Sequence, residues 1–237
     1  MLHHAWWLLA GVVVMYVYDA VQLLYHNEVV FHEGRDGRWS FSVGSEFALS
    51  GRHVFLPPML APTRGLLRLR WSSLKAPTQA APMRGLRAWR IGVSACAWPV
   101  LLVACLFAAM PAAVYSPIPV TLAWMAALYL AIFSAIMRLW RVRRVTGLSR
   151  KEAAGISSDA LLCAPYALNI IRKQGARAGD RFDLVAVAHA LLDAPERERL
   201  VRAIQARVRY QMDLEDLESE RHAQLQAYSL QIEGALA

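Results

Sequence analysis

Residues 91–114, IGVSACAWPVLLVACLFAAMPAAV, hold 24 consecutive positions without a charged side chain. Residues 118–137, IPVTLAWMAALYLAIFSAIM, hold 20 more. A helix rises ~1.5 Å per residue and a bilayer core is ~30 Å thick, so about 20 apolar residues cross it. A helix of this length in a water-soluble domain carries a polar face, and neither stretch has one. Both read as transmembrane helices. Between them Tyr115, Ser116 and Pro117 carry no charge, and Pro111 and Pro119 stand close by, so 91–137 reads as a tight helical hairpin. Residues 5–24, AWWLLAGVVVMYVYDAVQLL, carry only Asp19 and are expected to span as well. Met1 to His4 bring no Lys or Arg, and Tyr18-Asp19-Ala20-Val21 is a poor cleavage site. This block therefore reads as an uncleaved anchor rather than a signal peptide.

The composition agrees with that reading. Of the 237 residues, 57% are hydrophobic and 19% charged, against roughly 45–50% and about 25% in soluble domains. Such a chain has too much apolar surface to be disordered throughout. Its three cysteines, Cys96, Cys105 and Cys163, are too few for a disulfide-stapled miniprotein.

The net charge of +8 is placed, not spread. Residues 26–90 carry ten basic side chains against Glu28, Glu33, Asp36 and Glu46. Arg138, Arg141, Arg143 and Arg144 follow the last apolar block directly. Lys and Arg next to spans stay on the cytoplasmic side. The chain is therefore expected to start outside, cross inward, return through the hairpin and end inside. The four arginines are expected at the membrane interface, against anionic lipid head groups. A basic protein can also be a nucleic-acid binder, but no such motif accompanies the charge, so nucleic acid is not expected as a partner. Arginine outnumbers lysine heavily and alanine is abundant, which points to a GC-rich bacterial gene and so to the inner membrane.

Residues 28–71 change period. Trp39, Phe41 and Val43 alternate with Ser40 and Ser42, and Leu67, Leu69 and Trp71 with Arg68 and Arg70. Period-2 alternation marks strands with one buried face. Arg35-Asp36-Gly37 and Ser50-Gly51-Arg52 sit between such runs and read as hairpin turns. Pro57 and Pro58 end the last strand of the second pair. Four or five short strands are expected. A module this small has little core of its own and needs something to pack on. Residues 72–88 read as a connector.

The C-terminal region reads as helical. Ser149 and Glu152 fit a capping box. Ser157 or Ser158 is a candidate cap for a second helix over 159–174, with Gly175 as its stop. Asp193-Ala194-Pro195 marks a further start. From Pro195 to Glu233 there is no Pro or Gly, which predicts a single rod of about 55–60 Å. Ile204, Val208, Met212, Leu217, Leu225, Tyr228 and Ile232 form one narrow stripe on it, suited to a coiled-coil-like contact with a partner.

Little in the sequence points to chemistry. Asp19 is the one ionisable side chain well inside an apolar block, and intramembrane acids often mark ion paths or helix pairs. His26, Glu28 and His32 share a strand face by parity, a pattern that arises readily by chance, so no metal is expected. There is no GxGxxG, Walker loop, HExxH, CxxC or GxSxG. No catalytic residue and no cofactor are expected.

The expected fold is an α-helical membrane protein with three transmembrane helices. It has a small β-rich cytoplasmic insertion (28–71) and an α-helical cytoplasmic C-terminal region ending in a long helix. The expected segments are a transmembrane helix (1–25), a β-rich module with linker (26–90), the hairpin (91–137), a helical region (138–194) and the coiled-coil-like helix (195–237). The expected function is a non-catalytic accessory or scaffold subunit of a membrane protein complex, with other subunits as partners. The alternatives are a subunit of an oligomeric ion-conducting or ion-coupled assembly using Asp19, and a subunit of a membrane enzyme whose active site lies on another chain.

Overall fold

The structure, a computed structural model of the chain, describes residues 2–34, 36–72, 83–177, 182–214 and 219–236. Arg35 of the first expected turn, most of the expected connector (73–82) and Leu217 of the stripe lie outside these residues. The chain is mainly helical with a small region of sheet. It divides into two compact units. One comprises Met1–Val21, Leu56–Gly65 and Arg87–Ala178, the other Gln22–Phe55, Leu66–Leu86 and Gly179–Ala237.

The first unit is helical. α1 (Leu2–Ala20) packs on α4 (Met110–Val114) and on a 3-10 helix at Ala164–Asn169. α2 (Met83–Ser94) enters this unit at Arg87 and leads into α3 (Ala97–Ala108). α5 (Ile118–Thr146) returns along α3. Val100, Val103 and Phe107 of α3 and Leu128, Ile132, Ala135 and Leu139 of α5 are buried. Two polar side chains are satisfied within this apolar hairpin. Thr121 Oγ1 donates to Ala113 O at 2.9 Å, and Trp124 Nε1 to Leu106 O at 2.9 Å. An unpaired polar group in apolar surroundings costs several kcal/mol, so these bonds favour one pairing of the two helices.

Two helices are long and apolar enough to cross a membrane, Gly85–Ala108 and Ile118–Thr146. Among the described residues a third such helix is not found. The first apolar block is divided between α1, whose apolar run is Trp6–Ala20, and a strand at Gln22–Leu24. Leu24 is fully buried in that strand's sheet, and this burial draws the end of the block out of the helix.

The expected capping box closes the start of α6 (Arg150–Leu162). Glu152 N–H donates to Ser149 Oγ, and Ser149 N–H to the Glu152 carboxylate. No helix starts at Ser157 or Ser158, because α6 runs through both. Ser157 Oγ donates back to Ala153 O and accepts from Trp140 Nε1, so its polar groups are met inside the helix. Pro165 lies in the 3-10 segment, and α7 (Ile170–Arg177) continues through Gly175.

Among its described residues the second unit holds six strands in two antiparallel three-stranded sheets, where the alternation predicts four or five. β1 (Gln22–Leu24), β5 (Arg52–Phe55) and β4 (Ala48–Leu49) pair in the order β1-β5-β4. β2 (Glu28–Glu33) lies between β3 (Trp39–Ser42) and β6 (Leu66–Arg70). As the central strand, β2 buries Val29, Val30 and Phe31 in succession instead of alternating. The turn between β4 and β5 has positive φ at Ser50 (52°) and Gly51 (74°), the backbone a two-residue hairpin favours.

The sheets gain their missing core from the C-terminal helices of the same unit. α8 (Leu184–Leu191) is capped by Asp183, and α9 (Ala194–Met212) by Asp193. The single rod expected from Pro195 is not formed. α9 ends at Met212, and α10 (Glu220–Leu236) folds back along it, with Gln205 Nε2 donating to Glu233 Oε2 at 3.1 Å. The break falls where the apolar stripe is interrupted by charge, at 213–220. A folded-back pair buries the stripe on both sides, which one exposed helix cannot do. Trp71, just past β6, stacks on Tyr228 of α10, with ring centroids 5.4 Å apart and planes 14° from parallel.

Gly44 is closely packed against β5. Its φ is +92°, and a Cβ added there would stand 2.6 Å from His53 Cβ. Gly44→Ala should lose about 2–4 kcal/mol from backbone strain and overpacking together. Gly51→Ala, with a positive φ but open space, should lose about 1 kcal/mol. Thermal midpoints of the detergent-solubilised variants check this, and equal losses would contradict the packing argument.

Candidate functional site

Asp19 stands in the last turn of α1, and the first unit brings its partners from far along the chain. Lys173 of α7 places its Nζ 2.7 Å from Asp19 Oδ1 and 3.0 Å from Asp159 Oδ2 of α6. Asn169 Nδ2 donates to Asp19 Oδ2 and to Tyr16 O, each at 3.0 Å. Asn169 Oδ1 in turn accepts from Arg172 Nη1 at 3.1 Å. Arg172 is buried, and its Nη2 donates to Pro58 O at 2.6 Å and to Ala61 O at 3.3 Å. Its guanidinium lies 5.4 Å from the centre of the Tyr16 ring, and Tyr16 Oη donates to Met59 O at 2.7 Å.

The network ties the end of α1 to the 56–65 segment and to α7. It works because Arg172 and Lys173 lie three and four positions after Asn169, which brings both near its side of the helix. Ile170 and Ile171 between them are fully buried. The Asp19 and Lys173 side chains are only 11% and 15% exposed, while Asp159 is 42% exposed and faces water. The lysine ammonium thus occupies the position between two carboxylates that a bound cation would take. Asp19, expected as a possible intramembrane polar site, is here a neutralised anchor.

Cys163 lies near this cluster. Burial, and the nearby Asp19 and Asp159 charges, push its thiol above the ordinary value, against the lowering effect of the Tyr166 N–H and Lys173. A raised thiol is a poor nucleophile. Among the described residues no group of three His, Cys, Asp or Glu side chains is placed to hold a metal ion. His26, Glu28 and His32 are not assembled as ligands. Glu28 is buried and accepts from Arg68, from Arg70 Nε at 2.6 Å and from Tyr25 N–H at 2.8 Å. His32 contacts Ser40 Oγ and the Phe55 ring. Burial alone would raise the Glu28 carboxyl. The hydrogen bonds from Arg68, Tyr25 N–H and Arg70, with the charge of Arg68, outweigh it and hold the group below its ordinary value.

The other residues singled out in the sequence are placed as follows. Ile204, Val208, Leu225, Tyr228 and Ile232 are buried inside the second unit, and Met212 is half-buried. The described members of the stripe therefore pack within the unit, where α10 lies along α9. Arg138, Arg141 and Arg144 are exposed on α5 beyond Met137. Arg138 Nη1 donates to Ala95 O at 3.0 Å, and the Arg143 guanidinium lies 5.7 Å from the centre of the Trp140 ring. The sequence reading missed Lys173, Asn169 and Arg172. Nothing local in the sequence ties them to Asp19, which lies 150 positions from Asn169.

Two predictions follow from this geometry. Lys173→Met leaves Asp19 without its cation and should cost about 3–5 kcal/mol. Adding Asp19→Asn should restore part of that loss, as read by unfolding of the single and double variants in detergent. Strictly additive losses would show that the pair is not coupled. For Glu28 the folded-state value lies below the unfolded one, so its contribution is complete above the unfolded value, about 4.3. It fades as pH falls through the folded value. Glu28→Gln should therefore destabilise at pH 7 and narrow its gap to wild type below pH 4. A gap independent of pH would contradict this.

Comparison with family models, with curated proteins and with solved structures finds no match to this chain.

Proposed function

We propose that the chain is a membrane-embedded, non-catalytic accessory subunit that holds or assembles a multiprotein complex. One observation carries the membrane part. In Gly85–Ala108 and Ile118–Thr146, only 39% and 28% of the most apolar stretch is buried inside the chain. Trp98 and Ile118 are 74% and 76% exposed. Exposed apolar surface on this scale marks a membrane or protein contact, and the length of both helices matches a bilayer core. In this proposal α1 is the third span. Its apolar run is short, but Trp6 and Trp7 are exposed near its start, as interface anchors are.

In this proposal the arginines after Met137 lie against anionic head groups on the cytoplasmic side. The second unit is then cytoplasmic and is the part offered to partner subunits. The buried stripe moves the partner contact from the helix seam to the outer surface of that unit, where Tyr210, Leu214 and Leu230 are exposed. The ion-coupled alternative has less support than the accessory reading, because Asp19 is engaged by Lys173 and Asn169.

Carbonate extraction of membranes from a bacterial host tests the anchor, with the chain expected in the pellet at pH 11. Release to the supernatant would overturn it. Purification in mild detergent at native abundance tests the accessory role. A stoichiometric second protein is expected, and a lone chain would overturn that role.

A further inference from the structure

α6, the 3-10 segment and α7 form a helical hairpin inside the first unit. Two contacts set its register. Lys173 Nζ donates to Asp159 Oδ2 at 3.0 Å, and Arg177 Nη1 to Glu152 O at 2.8 Å. The base therefore lies at Arg150–Glu152 and Arg177, and the tip at Leu161–Tyr166. Between Asp159 and Arg172 stand 12 residues without a charge, ALLCAPYALNII. The base is basic, with Arg150, Lys151 and Arg177 against Glu152.

The tip points back along α5. Gly147 closes α5 with a φ of +84°, and α6 returns beside it. Trp140 Nε1 donates to Ser157 Oγ at 3.0 Å, which levels Ser157 with Trp140. Leu162 lies five residues beyond Ser157, or ~7–8 Å of helix. Trp140 lies three residues beyond Met137, where the apolar run ends, or ~4–5 Å. The tip thus reaches past the end of the apolar run. The packing of the 3-10 segment on α1 and on the uncharged α3 agrees with this level.

The tip exposes apolar side chains. Along the outer face of α6 the exposed residues run from Arg150 and Lys151 through Ala154 and Ser158 to Leu161 and Leu162. Leu162 is 88% exposed, and Leu130 and Phe133 of α5 are exposed nearby in the apolar run. The backbone of the tip does not need water. Cys163 N–H donates to Asp159 O at 2.9 Å, Tyr166 N–H donates to Cys163 O at 2.8 Å, and Pro165 has no N–H. Toward the base stand Asp19, Asp159, Arg172 and Lys173, two acids and two bases, so their charges sum to zero. Tyr166 lies with its ring centre 4.9 Å from Lys173 Nζ, and Tyr18 is exposed at the end of α1. Tyrosines favour that boundary between apolar and polar layers.

We propose that this hairpin is re-entrant. Its tip, Leu161 to Tyr166, enters the cytoplasmic leaflet beside α5 and leaves on the same side. Leu161 and Leu162 meet acyl chains, and the basic base meets anionic head groups. The proposal rests on the membrane reading above, and it gives lipid contact to a region that the charge pattern alone assigns to the cytoplasm.

Spin-label accessibility tests it on the full chain in vesicles of phosphatidylethanolamine and phosphatidylglycerol. Cys105→Ala and Cys163→Ala form the background, and buried Cys96 stays in place. Labels go at Leu162→Cys, at Leu130→Cys on α5 and at Lys151→Cys at the base. The readout is the ratio of oxygen collisions to collisions with a water-soluble nickel chelate. At 162 the ratio should exceed that at 151 by about threefold or more, and approach that at 130. Leu161→Cys should give the same order. A high ratio at 130 with a water-like ratio at 162 rejects the re-entrant tip and leaves the membrane reading standing. A label at 162 that is immobile and shielded from both reagents also rejects it, since protein then covers the tip. A water-like ratio at 130 overturns the membrane reading itself, and the tip falls with it.

Discussion

The uncovered apolar surface of the α3–α5 hairpin is the constraint on which the rest of the account depends. Helices that bury less than half of their most apolar stretch against their own chain leave apolar surface open to a bilayer or to another protein. In the proposed bilayer setting, other features acquire a reason. Thr121 and Trp124 must bond to backbone carbonyls within the pair, because lipid offers no water. The Arg138–Arg144 cluster begins where the apolar run stops. The tail of α5 past Met137 lets those side chains reach a polar layer.

Among the described residues, the charged side chains of the two clusters are each met by polar or charged partners. Lys173 sits between Asp19 and Asp159, and Arg172 is met by Asn169 and two backbone carbonyls. Glu28 is met by two arginines and a backbone N–H. Such clusters add little net stability, but breaking one partner is costly. They fix which segments belong together, here α1 with α7 in one unit and β2 with β6 in the other.

Period and punctuation made much of the fold legible from sequence. The hairpin blocks, the Ser149 capping box, the Asp193 start and the Ser50-Gly51 turn are local signals with local causes. Long-range pairing was not legible. Gln22–Leu24 reads as the end of an apolar helix until β5 is known to lie beside it. The stripe from Ile204 to Ile232 has the same spacing whether it meets a partner or its own folded-back neighbour. Only the charged interruption at 213–220 hints at the second outcome. Of the polar cluster, Asp19 was visible because it stands alone in an apolar run. Lys173 and Asn169 were not, because they lie about 150 positions away.

Cys105 gives the most direct test of the bilayer account, because it is exposed on α3 well inside the apolar run. In intact membranes carrying Cys96→Ala and Cys163→Ala, a membrane-impermeant maleimide should leave Cys105 unlabelled from either side, and detergent should not be required for a lipid-soluble maleimide to reach it. Rapid labelling of Cys105 by the impermeant reagent in sealed or inverted vesicles would contradict the account.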